Sequence, residues 1–402
     1  MKVIKYLKQN GWRRVLQVLY RYKIDSLLIK VLGPVLKNKP LKNIIVIESH
    51  NDFDSNGGAF YDYLIRNHFQ EKYKIVWLLK HNLDKRLPEN VVAVPLYKPS
   101  IRKAYYKWRA KYFTADNDCS GKLRNNQISV YFGHGGFSLK NVKGHLNLPR
   151  TVDYILMYSH GVSDILADRF MLPKDDSRFK YIGIPYVDNF YNGVEGDLRK
   201  ITSYRYNKVL LWMPTFRKGG GYQREDAMSN GKLGIPLIPN LDEYKNLNIF
   251  LAQRNLYLII KLHPMQDLSD LLISDLSNIR VLDGNAVKKI NVDNYRLMKD
   301  CDALISDYSS AAYDFLHTNK PIAYDFSDLD SYKVGLCTDK PEDFMAGPCI
   351  KDLSGLYNFI ESVSDGKDEY FDERVKLRDV VFDFSDGDNS KRVVELLDLE
   401  LK

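Results

Sequence analysis

Cysteine is scarce in this chain: Cys119, Cys301, Cys337 and Cys349 are four in 402 residues, and none has a paired spacing. That excludes a disulfide framework and points to reduced thiols. No Cys/His cluster has zinc spacing either. No uninterrupted apolar run approaches the roughly 20 residues that span a bilayer. A mean hydropathy of −0.36 with 27% charged residues also argues against an integral membrane protein. Charges recur through the start without a small-residue cleavage pattern, so it does not read as a secretory signal. Internal repeats and low-complexity tracts are absent. What the chain has is length for two domains, with 45% hydrophobic and 12% aromatic residues to fill their cores.

Metal signals fail on inspection. Asp52-Phe53-Asp54-Ser55-Asn56-Gly57 opens like a calcium loop, but its twelfth position is Tyr63 instead of a bidentate glutamate, and no helix precedes it. Asp-x-Asp pairs recur at Asp116/Asp118, Asp300/Asp302 and Asp328/Asp330, so the pattern has no specificity. The reading is no metal and no cofactor. Residues 52–58 read as a loop that caps a helix from Ala59.

Charge is local. Residues 1–42 hold eleven Lys and Arg against one acid, Asp25, a net +10. The whole chain is +8, so the other 360 residues sum to −2. Trp12, Val15, Leu16, Leu19, Tyr20, Leu27, Leu28 and Leu32 interleave with those cations at near-helical spacing. A basic amphipathic helix of this kind reads as a peripheral element on an anionic membrane surface. A solvated helix packed on the domain is the plainer alternative. No nucleic-acid module accompanies the charge, so no nucleic-acid partner is expected.

Beyond residue 42, short β-branched and apolar runs alternate with helical patterns. Strands are expected at 43–47, 73–79, 91–95, 128–132 and 154–158, then at 209–213, 256–260, 279–282, 303–305 and 321–324. This is α/β alternation, with parallel sheets covered on both faces. The polar stretch 189–207 reads as a linker. The expected division is a basic segment 1–42, a Rossmann-like domain 43–188, the linker 189–207, and a second Rossmann-like domain 208–402 with C-terminal helices. A cleft between the two domains completes the expected architecture.

Chemistry gathers at strand ends. Leu304-Ile305-Ser306-Asp307-Tyr308-Ser309-Ser310 delivers hydroxyls and backbone N–H groups to a helix start, a setting that holds phosphate. Ser309 and Ser310 are therefore donor-binding candidates, although serines also simply cap helices. Asp314, a turn further on, suits a ligand hydroxyl. Ile259-Ile260-Lys261-Leu262-His263-Pro264 ends another strand, with His263 and Lys261 near phosphoryl oxygens and Leu262 between them. Arg217, after Met213-Pro214-Thr215-Phe216, has the fork that grips phosphate. His134 stands between Gly133 and Gly135-Gly136, exposed enough to take a proton from an attacking hydroxyl. Gly135, Gly136, Phe137 and Ser138 of this loop join the donor-binding candidates.

These segments carry a resemblance. Lys261-Leu262-His263-Pro264, Ser306-Asp307-Tyr308-Ser309-Ser310 with Asp314-Phe315, Lys320-Pro321-Ile322 and Asp328-Leu329-Asp330-Ser331-Tyr332 follow the order seen in the CDP-glycerol glycerophosphotransferase family. Phe132-Gly133-His134-Gly135-Gly136-Phe137-Ser138-Leu139-Lys140 resembles that family's Trp-His-Gly-Thr-Pro-Leu-Lys segment, and Pro214-Thr215-Phe216-Arg217 its Pro-Thr-Trp-Arg segment. The resemblance spans roughly residues 43–360. Departures are Gly136-Phe137 for Thr-Pro, Tyr186 where Arg is usual, and Val334-Gly335-Leu336 for Arg-Gly-Phe.

The resemblance implies a GT-B fold and transfer of an alditol phosphate from CDP-glycerol or a related CDP-alditol. The acceptor implied is a polyprenyl-diphosphate-linked saccharide or a growing teichoic acid or capsule polymer, at the cytoplasmic face of the membrane. His134 and His263 would be catalytic. Two other readings stay open at this point: a GT-B glycosyltransferase using a nucleotide-sugar, and a non-catalytic scaffold that binds the carrier lipid.

Overall fold

The computed structural model describes residues 11–401 except 14, 17–18, 20–24, 82, 84–85, 118–120, 145–147, 150, 193–195, 218–231 and 270. The chain divides into two units. In the first, β1 (Lys42–Glu48), β2 (Lys74–Leu79), β3 (Val91–Pro95), β4 (Ala110–Ala115), β5 (Ile128–Tyr131), β6 (Tyr154–Leu156) and β7 (Phe179–Lys180) form one sheet in the order β3-β2-β1-β4-β5-β6-β7. The second unit holds β8 (Lys208–Met213), β9 (Leu256–Lys261), β10 (Ile279–Leu282), β11 (Ala303–Ser306), β12 (Ile322–Asp325) and β13 (Cys349–Ile350), ordered β10-β9-β8-β11-β12-β13. Adjacent strands in both sheets run parallel.

The apolar runs explain the sheets. Ile44 to Ile47, Ile75 to Leu78, Leu210 to Trp212 and Leu256 to Ile260 are buried along their whole length, as strands covered on both faces require. Every strand expected from such a run is present. The two-residue edge strands β7 and β13 are too short to leave a periodic signal.

Each sheet repeats one plan. The second and third strands extend on one side of the first, and the fourth and fifth on the other. The direction of growth therefore reverses beside β1 and β4, and again beside β8 and β11. Outside the carboxyl ends of strands at such a reversal, the flanking loops part and leave room for a ligand.

Local details adjust the expected boundaries. The helix after β1 spans Ser55–Arg66 and starts four residues before Ala59, with Asp54 as its N-cap. Gly57 and Gly58, which read as loop residues, lie inside its first turn. A Cβ on Gly57 would sit 2.8 Å from the Cβ of Ser49, so glycine lets this helix close on the loop after β1.

Residues 189–207 lie along the second unit. Phe190 packs on Tyr295 with ring centroids 5.7 Å apart, and the buried Asp197 accepts the Asp293 N–H at 2.7 Å. The sequence division placed all of 208–402 in the second domain, whereas Phe382 onward joins the first unit. One tie is Asp188, whose carboxylate accepts the N–H groups of Asn389 and Ser390, both at 2.8 Å, at the start of the helix Asn389–Leu396; another is the Asp383 N–H on the Tyr158 carbonyl. Burial raises the Asp188 carboxyl to about 6 against its donors. Residues 136–142 belong to the second unit, so the chain passes between units at Gly135-Gly136 and returns after Val142.

Part of the basic segment is described. The helix Asp25–Leu36 packs on the helix Ile101–Arg109, where Trp108 Nε1 donates to the Ile29 carbonyl at 2.7 Å. Among the described residues no helix is long and apolar enough to cross a membrane.

Candidate active site

In the second unit the reversal point is held by a buried ion cluster. Arg217, four residues beyond β8, is 1% exposed. Its Nε and Nη2 bind Asp328 Oδ2 and Oδ1 at 2.6 and 2.9 Å, while Nη1 reaches Asp307 Oδ2 at 2.7 Å and the Thr215 carbonyl at 2.6 Å. The guanidinium also lies over the Tyr308 ring, 5.2 Å from its centroid. Tyr308 donates to Asp328 Oδ1 at 3.1 Å and stacks on Tyr332 with centroids 3.9 Å apart. The fork expected to grip phosphate is thus engaged with the protein's own carboxylates.

Asp307 is the centre of the cluster. It accepts the Thr215 N–H at 2.8 Å, the Thr215 hydroxyl at 2.7 Å and the Ser309 N–H at 3.1 Å. Burial alone would raise its carboxyl. The Arg217 charge, then Lys140 and these hydrogen bonds, override burial and hold it below the ordinary carboxylate range. Asp325, at the end of β12, has no ion pair with a cation among the described residues. Burial raises it from 3.8 to about 7 despite hydrogen bonds from Ser327 and the charge of Arg217. Its Oδ2 has no partner among the described residues, as suits a protonated acid.

Around this knot stand the expected donor-binding residues. Ser309 caps the following helix, its Oγ accepting the Ala311 N–H at 3.4 Å, which leaves its hydroxyl proton available to donate outward. The helix itself is one turn, Ser310–Asp314, continued by a 3-10 turn, so phosphate binding here would rest on local donors with little help from a helix dipole. Asp314 is buried and set back from solvent. His263 is half-buried, with Phe216 at 4.8 Å and its Nδ1 accepting the Met265 N–H at 3.1 Å. That bond places the proton of the neutral ring on Nε2, which makes Nε2 a donor. Lys261 is buried at the end of β9. Leu262 lies in the core, with its N–H bonded to the Leu282 carbonyl.

Within the segment after His134, Phe137 is a buried anchor, its ring 4.7 Å from that of Tyr313 and 5.4 Å from that of Phe344. Ser138 is buried beside it, and Leu139 and Asn141 bond to Cys337 and Gly335. Gly136 opens this segment as part of the second unit.

In the first unit, β5 delivers His134 to an exposed position between Gly133 (φ +87°) and Gly135 (φ +67°), and Tyr158 donates its hydroxyl to the Gly135 carbonyl. The His50 ring, in the loop after β1, lies 4.1 Å from that of His134. Asp52, the opening acid of the calcium-like loop, accepts the backbone N–H groups of Lys80 at 2.8 Å and His81 at 2.9 Å. Sequence reasoning missed His50, Asn56 and Asp116. A usable signal existed: Asp116 follows the fourth strand of its sheet just as Asp307 follows the fourth strand of the other.

Comparison with known proteins decides between the open readings. The model of the CDP-glycerol:poly(glycerophosphate) glycerophosphotransferase family matches residues 35–399. The chain belongs to that family. It is 25% identical over 407 residues to the teichoic acid poly(glycerol phosphate) polymerase of Bacillus spizizenii, covering 93% of this chain and 96% of that one. The teichoic acid glycerol-phosphate primase of Bacillus subtilis is 23% identical, covering 90% and 92% of the two chains. The wall teichoic acid polymerase TagF has the same fold, with a TM-score of 0.71 at 20% identity over 99% of this chain and 98% of that one. The fold is therefore of the GT-B type, and the protein is an enzyme of the glycerophosphotransferase family.

Two outcomes test the buried cluster. Arg217→Ala should lower stability by about 3–5 kcal/mol, because it leaves Asp307 buried without its cation. A denaturant midpoint within error of wild type would contradict that role. Asp325 binds its proton more tightly folded than unfolded, so it takes stability away as pH rises from about 4 to about 7. Asp325→Asn keeps the neutral form, so the variant should gain on wild type across that window in urea midpoints and level off above it.

Proposed function

We propose that this enzyme transfers glycerol phosphate, or a related alditol phosphate such as ribitol phosphate, from its CDP-activated form to an acceptor hydroxyl. The acceptor is a polyprenyl-diphosphate-linked saccharide or a growing teichoic acid or capsule polymer. Family membership supports the donor class, and the relatives named for glycerol and for ribitol phosphate support both alditols. A TagF variant soaked with CDPG has the same fold as this chain.

The observation that carries the mechanism is the exposed imidazole of His134 on its glycine-framed loop. The acceptor oxygen attacks the phosphorus nearer the alditol, and its proton passes to His134. The bond from that phosphorus to the bridging oxygen breaks, and CMP leaves. Positioning and charge stabilisation dominate such displacements. His263 Nε2–H donates to a phosphoryl oxygen, and the Ser309 and Ser310 hydroxyls hold the diphosphate. Arg217 serves this site through Asp307 and Asp328, whose loops it fixes.

Membrane contact is the second half of the proposal. On the helix Asp25–Leu36, Leu27, Val31 and Val35 are 60%, 62% and 64% exposed at four-residue spacing, flanked by the exposed Lys30, Lys37 and Lys39. The same helix packs on the fold through its other side, so this stripe faces outward. Each cation near an anionic leaflet contributes about 1 kcal/mol.

His134→Ala should lower CMP release from CDP-glycerol by about 10²–10⁴-fold while the protein stays folded. A rate near wild type would remove His134 from the base role. For the membrane, wild type should sediment with anionic vesicles and be partly released by salt. A Leu27→Ser, Val31→Ser, Val35→Ser triple variant should sediment less and keep its activity on a soluble acceptor. Equal sedimentation would place the contact elsewhere.

A further inference from the structure

We propose that His50 is a positioning residue for His134, with Asn56 holding the backbone of the same loop; the inference rests on reading His134 as the base. The position of the His134 ring depends on what surrounds its loop. Flanking glycines in the left-handed region permit many backbone states, and an exposed imidazole there has room to turn. A base misplaced by about 1 Å forfeits much of its value, on the order of 10²-fold.

The loop after β1 is well anchored. Asp116, wholly buried beyond the end of β4, accepts the Ser49 hydroxyl at 2.6 Å, the His50 N–H at 2.5 Å and the Gly57 N–H at 3.1 Å. Lys80 Nζ donates to the His50 carbonyl at 2.6 Å. Asn117 Nδ2 donates to His50 Nδ1 at 3.2 Å, which makes that nitrogen an acceptor and puts the ring proton on Nε2. His50 is thus fixed at its N–H, its carbonyl and its ring.

From this anchorage the His50 ring meets the His134 ring, with centroids 4.1 Å apart and planes 41° apart. Asn56, in the first turn of the helix Ser55–Arg66 that follows this loop, is also wholly buried. Its Nδ2 donates to the Gly133 carbonyl at 3.0 Å, and its Oδ1 accepts the Tyr186 N–H at 3.0 Å. The loop and the helix start it leads into therefore meet the base twice: His50 walls its ring, and Asn56 pins the peptide that precedes it. The arrangement is costly, since burial raises the Asp116 carboxyl to about 7 despite its hydrogen bonds and the charge of Lys80. What that cost secures is the turn carrying His50 and the helix start carrying Asn56.

The test compares His50→Ala, His50→Phe, Asn56→Ala and His134→Ala in the full chain, with CDP-glycerol as donor and thermal unfolding as the check on folding. For His50→Ala, kcat should fall about 10–100-fold with KM for CDP-glycerol within about twofold of wild type, because alignment and not donor binding is lost. Asn56→Ala should move kcat in the same direction. His50→Phe, which restores a flat ring, should recover kcat to within about threefold of wild type. A kcat for His50→Ala within about twofold of wild type overturns the inference, as does a His50→Phe variant no faster than His50→Ala. The two readings separate cleanly. If His134→Ala turns over normally, the base assignment fails; if it is inactive while His50→Ala is unimpaired, only the role of His50 fails.

Discussion

The second unit depends on one buried interaction, the clasp of Arg217 on Asp307 and Asp328. Three carboxyl-end loops, after β8, β11 and β12, must diverge to leave a ligand site at the reversal point, and diverging loops share few backbone bonds. Arg217 replaces what they lack. Its guanidinium is planar and permanently charged, so it binds Asp328 with two parallel hydrogen bonds while reaching Asp307 and Thr215 with the rest. Burial makes the cluster expensive to break, because removing one charge strands another in a medium that cannot solvate it. Ser309, whose N–H is held by Asp307, and Phe216, which lies beside His263, inherit their places from it.

The first unit repeats the device with a different sign. In each sheet an aspartate follows the fourth strand and receives hydrogen bonds from the segment that follows the first. Asp307 receives Thr215 and Arg217; Asp116 receives Ser49, His50 and Gly57. With a guanidinium in contact, the Asp307 carboxyl stays below its ordinary range. Asp116 has backbone and hydroxyl donors with only the pull of Lys80, and burial carries it up to about 7. One topological position thus serves as an ion-pair centre in one unit and as a hydrogen-bond acceptor for the turn beside His134 in the other.

Much of this was legible in the sequence. Strands buried on both faces announce themselves as apolar runs, so both sheets could be read from Ile44 to Ile47, Leu256 to Ile260 and their counterparts. Histidines at strand ends, His134 and His263, were legible because an imidazole there is poor core filler. The role of Arg217 was not. A fork that suits phosphate suits carboxylate equally, and Asp328 lies 111 residues away in sequence, so spacing could not reveal the pair. His50 was invisible for a similar reason: its meaning comes from a ring 84 positions downstream. The early start of the helix Ser55–Arg66 was missed because Gly57 and Gly58 signal a loop by propensity, while close approach to Ser49 is what selects glycine there.

In the proposed reaction the acceptor oxygen attacks the phosphorus and not the alditol carbon, and the products distinguish the two. With CDP-glycerol and a lipid-linked saccharide acceptor, attack at phosphorus releases CMP in step with acceptor consumed and leaves a product heavier by one or more glycerol-phosphate units. Release of CDP, with glycerol alone joined to the acceptor, would overturn attack at phosphorus.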